Sequence, residues 1–506
     1  MKLHLISSAL IIALLAPATA AAESVPDAGG LDYSVSVNAW HGSGDFAPHL
    51  IASGCFGMAD MSSGATLSAM LSRKTDMSRR FSFGVGVQLA SGWQGSVGYA
   101  QFDDGVWREN SNHPSRFWIQ QLYGEVKWRS LSATFGMKNR GSALFDDVLS
   151  SGDLVHSNNA RPTPELMIEL NRFVDIPLTS GWVQIGAALA YGRFTDDGWW
   201  RQQFNYYSGH IASGQWYTYR RLHFRTRADR RVFVTVGVQS AGQFGGTTYY
   251  YEYGSMGKED RRGLHLKDFF KIQFGSGGET FVFGNTLGAW DLKATVNLAK
   301  GRTLEAYTQM PWEDGSGMAK LNGFDGLYGI AYHDPDGFVT GAAVEYLDLT
   351  NQSGPIHWAP GDYPGTTIPS EATGADNYYN NAAYNAYALY GRTIGSSMVM
   401  GPLYNLNGVN EMVGNRMRGV HAAVTGRAPH GIGWRASFSW RKAYGNGFKS
   451  LVPALHSVSV MAEASWKPAR LPHLRFNLQG AVDRGTMPSN SAALLVGMTY
   501  SGEIGL

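Results

Sequence analysis

The sequence predicts an all-β fold: a transmembrane antiparallel β-barrel of about 18 strands, with long extracellular loops and short periplasmic turns. Three observations predict it. An export signal opens the chain. Apolar and polar residues alternate through many segments. Trp and Tyr recur throughout, although no run past the signal approaches the roughly 20 apolar residues of a membrane helix.

The signal comes first. Lys2 and His4 precede an apolar run from Leu5 to Leu15, and Ala18-Thr19-Ala20 and Ala20-Ala21-Ala22 both fit an A-x-A cleavage site. The apolar part is too short to span a bilayer, so residues 1–22 read as a cleaved signal peptide and 23–506 as a single barrel domain. The destination this implies is the outer membrane of a Gram-negative cell. The only cysteine, Cys55, has no partner for an intramolecular disulfide and falls in the first long loop, which the predicted topology places outside.

Composition narrows the class. A formal net charge of +2 gives no field that would steer the chain toward nucleic acid. The mean hydropathy of −0.21 would suit a soluble protein. Yet aromatics reach 13% and Gly 63 of 506 residues, well above the usual Gly share of about 7%. Many rings and glycines without apolar runs fit a barrel wall, where lipid-facing and lumen-facing residues alternate.

The alternation sets the strands. From Trp118 to Trp128, one face carries Trp118, Leu122, Gly124, Val126 and Trp128, with Gln120 as its exception; the other carries Gln121, Tyr123, Glu125 and Lys127. The two Trp would lie about 33 Å apart along the strand, and a tilt of roughly 40° reduces this to about 25 Å, the height of an apolar band between aromatic girdles. Segments 231–239, 434–441, 456–467 and 473–482 alternate in the same way. Strands are predicted near 33–40, 64–71, 81–90, 117–128, 131–138, 164–172, 181–194, 217–226, 231–240, 286–298, 302–309, 324–333, 338–347, 416–427, 432–442, 455–467, 473–483 and 492–502. Alternate connections are short, such as Arg129-Ser130, Lys300-Gly301 and Pro429–Gly431, and fit periplasmic turns. Within 241–285, Phe269–Phe274 and Thr280–Phe283 are further strand candidates.

The long loops carry the candidate binding residues. Loop 348–415 holds Trp358, Asp362, Tyr363, Asp376, Tyr378 and Tyr379; loop 195–216 holds Trp199, Trp200, Tyr206 and Tyr207; Trp312 adds a further ring. Flat rings cover the C–H face of a pyranose while carboxylates and amides bond its hydroxyls, so these residues suit polysaccharide. The competing reading is that the rings pack loop against loop and close the barrel mouth.

Several ordered motifs resemble the capsule assembly Wzi family: Leu149-Ser150-Ser151-Gly152-Asp153-Leu154, Asn159-Ala160-Arg161-Pro162, Gly181-Trp182-Val183-Gln184-Ile185, Pro311-Trp312-Glu313-Asp314-Gly315-Ser316-Gly317, Asn322-Gly323-Phe324-Asp325-Gly326 and the 351–363 run. The resemblance covers nearly all of the mature chain. It implies an outer-membrane barrel of similar strand number and a lectin-like role in holding capsular polysaccharide at the cell surface. Outer-membrane lipid and the barrel assembly machinery are the other partners this reading implies. The N-terminal helical plug of some family members is not expected here, because Tyr33–Trp40 already reads as a strand.

Inside the barrel, Arg221, Arg225, Arg435, Arg441 and Arg475 fall on inward faces. They would either attract an acidic polysaccharide or be neutralised by lumen carboxylates such as Glu125 and Glu463. No metal-ligand spacing or G-x-S-x-G elbow is present, and neither a cofactor nor an enzyme is expected. His156-Ser157-Asn158 and Tyr307-Thr308-Gln309 only faintly resemble barrel phospholipase motifs, in reversed order. The sequence therefore points to an outer-membrane lectin for capsular polysaccharide. The alternative is a channel or export pore, and the two differ in whether the long loops fold inward.

Overall fold

The computed structural model describes residues 30–274, 284–354, 357–358, 372–373 and 376–505. The signal peptide and the Thr280–Phe283 strand candidate lie outside the described residues. Eighteen strands form one closed antiparallel barrel: β1 Leu31–Ser43, β2 Gly64–Arg73, β3 Phe81–Gln94, β4 Phe117–Trp128, β5 Leu131–Met137, β6 Glu165–Leu170, β7 Val183–Arg193, β8 Trp216–Thr226, β9 Val232–Phe244, β10 Asn285–Asn297, β11 Thr303–Trp312, β12 Gly326–His333, β13 Val339–Asp348, β14 Met417–Ala428, β15 Ile432–Gly445, β16 Ser450–Trp466, β17 Leu474–Gly485 and β18 Ser491–Ile504. Strand β6 resumes briefly at Val174–Asp175 against the same neighbour. The first and last strands pair from Leu31↔Ile504 to Ser43↔Ala492, which closes the sheet and leaves no edge.

Every predicted strand is present. The reason is the period of two: on β16, Val458, Val460 and Trp466 face outward while Ser457, Ser459 and Met461 are buried inside. Large apolar side chains stay exposed around the wall, among them Phe83, Leu122, Leu292, Val344 and Leu478. Such a belt is costly in water and is satisfied by lipid. One rim carries the short turns and the other the long loops, the extracellular rim in barrels of this kind.

Two local expectations are corrected. The register between β3 and β4 shifts after Gln88, which pairs with Gln121 while Leu89 pairs with Ile119. The skipped residue is Gln120, so the alternation inverts beyond it. Trp118 therefore points inward, 8% exposed, and its Nε1 donates to Gln120 Oε1 at 2.7 Å. Phe117, 64% exposed, takes the outer position assigned to Trp118 in the girdle argument. The second correction concerns Phe269–Phe274, which belongs to a helix, Leu266–Phe274.

The long-loop half of the lumen is filled by the chain's own loops. The segment after β5 descends into the barrel, where Glu345 of β13 accepts hydrogen bonds from Ser150 Oγ at 2.6 Å, Ser151 N at 2.8 Å and Tyr307 Oη at 2.7 Å. Leu154 N donates to Gln309 Oε1, and Asp153 accepts from Gln239 Nε2 at 2.7 Å. A second inward segment, beginning near Asp376, packs on the first: Tyr379 Oη donates to the Leu154 carbonyl and Tyr387 Oη to that of Val155. Together with the wall residues Tyr217, Ala241, Leu327 and Leu347 they form one apolar core. The loop after β1 also folds inward, with His49 N donating to Asp483 Oδ2 at 2.7 Å. Cys55 on this loop is half-buried, donates to the Ala52 carbonyl and lines an internal cavity of about 210 Å³. Its loop is thus tucked into the barrel instead of standing free above it.

Glu345 is the anchor whose loss leaves the most donors unpaired. Glu345→Ala should loosen the 149–154 segment by about 2–4 kcal/mol. In a planar bilayer the intact protein should show little steady conductance and the variant intermittent ion leak. Large, stable currents from the intact protein would contradict a filled lumen.

A candidate carbohydrate surface on the long-loop rim

The rim is capped by loops that meet around the 194–215 connection. A short helix, Asp197–Gln203, turns Trp200 inward, 1% exposed, while the neighbouring Trp199 stays half-buried with its ring 4.8 Å from that of Trp200. Trp199 lies over Gly391, where a Cβ would come within 2.3 Å of the ring. Asp196 fixes the helix start to the second inward segment by accepting the Tyr390 N–H at 2.8 Å.

Beyond the helix the chain presents an array of rings. Phe204, Tyr206 and Tyr251 contact one another at 5.1–5.5 Å. Tyr207 lies 5.1 Å from Phe102, 5.2 Å from Trp107 and 6.2 Å from Tyr253. Three loops supply this second group, and backbone bonds hold them in place: Phe102 N donates to the Asn205 carbonyl and Gly254 N to that of Tyr207. Trp107 is 51% and Tyr253 74% exposed.

Trp107 and Tyr253 sit on hairpins with two-residue turns, Asp104-Gly105 and Tyr253-Gly254. Both first positions have positive φ, 47° at Asp104 and 50° at Tyr253. Asp tolerates that backbone, whereas a bulky ring there is strained by roughly 1–3 kcal/mol. Gly254 is required by close approach, since a Cβ there would meet the Phe102 ring at 2.1 Å.

The sequence-derived candidates divide by position. Trp199, Tyr206 and Tyr207 are partly exposed on this rim. Trp200, Trp312, Asp376, Tyr378 and Tyr379 are buried and serve packing. Trp312 lies 6.4 Å from Trp290, Tyr378 Oη donates to Asp325 Oδ2 at 2.9 Å, and Asp376 accepts from Ser353 and Ser316. Trp358 belongs to a two-residue strand paired with Ala372–Thr373, and Asp362 and Tyr363 lie outside the described residues. Phe102, Trp107 and Tyr253 were not among the candidates. The Asp-Gly turn signal at 104–105 could have found the first hairpin.

Of the lumen cations, four have partners within the barrel. Arg221 pairs with Glu169 at 2.9 Å and Arg435 with Glu463 at 2.6 Å. Arg225 bonds Gln184 and lies 4.0 Å over the Phe173 ring, and Arg441 bonds Ser457 and the Met487 carbonyl. Arg475 is exposed toward the short-turn end. Neutralisation, one of the two readings of these charges, accounts for Arg221 and Arg435. Among the described residues no cluster of metal-ligating side chains is present.

Buried carboxyls make the cap sensitive to pH. Burial pushes Asp196 up to about 7, and burial followed by the charge of Asp314 does the same for Asp376. A carboxyl with a raised folded value keeps its proton where the unfolded chain has lost it. The stability it contributes is therefore full at low pH and lost as pH rises from about 4 through about 7. Amide exchange in 194–215 and 376–405, corrected for intrinsic rates, should show weaker protection at pH 8 than at pH 5. Asp196→Asn should flatten the dependence in its own loop, and equal protection of the unmodified chain at both pH values would overturn the assignment.

No family model matches the chain, and no curated protein matches it. Solved structures do. The Escherichia coli outer-membrane protein Wzi, described as involved in group 1 capsule assembly and as a carbohydrate-binding β-barrel, is 14% identical over 92% of this chain and 83% of its own, with a TM-score of 0.55. Acinetobacter baumannii OccAB2 is 7% identical over 94% of this chain and 98% of its own, with a TM-score of 0.46. The Pseudomonas aeruginosa outer-membrane protein OprD is 8% identical over 96% of each chain, with a TM-score of 0.43. At 14% identity the likeness to Wzi is one of fold, and the fold is that of an outer-membrane β-barrel.

Proposed function

We propose that this protein is an outer-membrane lectin that retains capsular polysaccharide at the cell surface. The observation that carries the reading is the combination of a filled lumen with a rim of exposed, mutually braced rings. A filled lumen suits a binder better than a conduit. Rings held in place by neighbours and by backbone bonds lose little freedom on meeting a sugar face. The strained Tyr253 points the same way, because its position would be easier to fill with Asn or Asp if only the turn mattered. The fold shared with a carbohydrate-binding barrel supports the reading further. Export through a cleaved signal peptide and insertion by the barrel assembly machinery belong to the same proposal.

Retention is measured as cell-associated against released capsule. A strain lacking the protein should release polysaccharide into the medium while the total made stays similar. Trp107→Ala, Tyr207→Ala and Tyr253→Ala together should reproduce part of that loss, since single contacts to a polymer are weak and masked by multivalency. Trp107 and Tyr253 are exposed and Tyr207 is half-buried, so the triple change should cost less stability than Tyr378→Ala, which would open a buried site at about 3–5 kcal/mol and test folding instead. Heat-modifiable gel mobility is the folding control. Unchanged capsule partition in the deletion strain would refute the function, and porin-like currents would favour the channel reading.

A further inference from the structure

Arg161 stands apart from the other inward-segment cations. Its guanidinium lies over two rings, 4.5 Å from the centroid of Trp118 and 4.6 Å from that of Tyr390. Among the described residues its N–H donors make no hydrogen bond or close ion pair. The nearby carboxylate, Asp60, is committed to Arg392, whose Nε donates to it at 2.6 Å and whose other nitrogens bond the carbonyls of Ala52 and Ala59. Two guanidiniums against one carboxylate leave a net positive charge. Arg161 borders a cavity of about 220 Å³ that Asp60, Trp199, Tyr390, Asn112 and His113 also line. This is far more than the ~10–15 Å³ that admits a water, and exposed His113 places its mouth on the surface.

We infer that this cavity binds the carboxylate of a uronic acid unit in an acidic polysaccharide, with the Arg161 guanidinium as its partner and Trp199 as the wall for the sugar ring. The inference rests on the polysaccharide-binding reading above and adds the chemical class of sugar. The guanidinium fork matches a carboxylate with two parallel N–H···O bonds, which a point charge does not. The rings beneath Arg161 fix the plane of the fork before the ligand arrives. A half-buried cation without a hydrogen-bonded partner is costly, and an incoming anion offsets that cost. The paired lumen arginines have no such vacancy.

The test uses the purified full-length barrel in detergent and reads its Trp fluorescence, since Trp199 lines the cavity and Trp118 stacks on Arg161. Trigalacturonate should give a saturable change that maltotriose does not give. Arg161→Gln should weaken trigalacturonate at least about tenfold, and Arg161→Lys should fall between, keeping the charge but losing the fork. Heat-modifiable mobility confirms folding, and Arg161→Lys carries the comparison if Arg161→Gln does not fold. Three results would overturn the assignment: no response to trigalacturonate, unchanged binding in either folded variant, or inorganic phosphate competing as well as trigalacturonate. Binding of maltotriose alone would remove this site and leave the polysaccharide-binding reading standing. Arg161-dependent trigalacturonate binding with unchanged capsule partition in the deletion strain would keep the site and remove the retention function.

Discussion

Closing eighteen strands into a barrel makes an interior wider than the wall's own side chains can fill. Either water occupies it or the chain folds back into it, and here the chain folds back. That choice imposes a second demand, because loop backbone taken out of water must find partners. The wall supplies them as buried acceptors and donors at chosen inward positions: Glu345 for Ser150 and Ser151, Gln309 for Leu154, Gln239 for Asp153. Arg392 does the same between two loops, bonding Asp60 and two carbonyls. The polar inner face that a channel would use for water is used here to hold protein.

The plug also explains why the rim can be ordered. Loop 194–215 does not float over a pore; its helix is tied through Asp196 to Tyr390, and the segment carrying Tyr390 is packed against Leu154 and Val155 below. The hairpin with Trp107 then docks on Asn205, and the hairpin with Tyr253 on Tyr207. Each layer rests on the one beneath. Change in the lumen is therefore expected to reach the surface rings through contiguous packing.

The strands were legible because their signal is local. A period of two can be read from adjacent residues, and the eighteen predicted segments coincide with the eighteen strands. Trp118 was misplaced because a one-residue bulge at Gln120 leaves the pattern intact on both sides and inverts its meaning. The loops were less legible for a different reason. Ser151 meets Glu345 across 194 positions, and Arg392 meets Asp60 across 332. No window of sequence contains such a pair. Tyr378 and Tyr253 look alike as sequence, each an aromatic residue among Asn, Gly or acidic neighbours, yet one is 2% and the other 74% exposed. What separates them is which loop folds inward, and that is decided by the partners on the wall.

A binder built this way need not be tight. Each ring or cation on the rim offers a contact worth roughly 1 kcal/mol or so, and a cap held rigid from below loses little entropy in making it. On the proposed reading, a capsular polymer repeats its units, so one chain would meet many barrels and several places on each. Once the first contact forms, the next are intramolecular, and overall retention exceeds any single affinity by orders of magnitude. Strong individual sites would instead fix the polymer unit by unit and hinder its passage to the surface. Within the molecule, charge is paired and rings are buried where the plug packs, as at Arg392–Asp60 and Tyr378, while Arg161 borders a cavity at the rim and Trp107 and Tyr253 stand exposed on it.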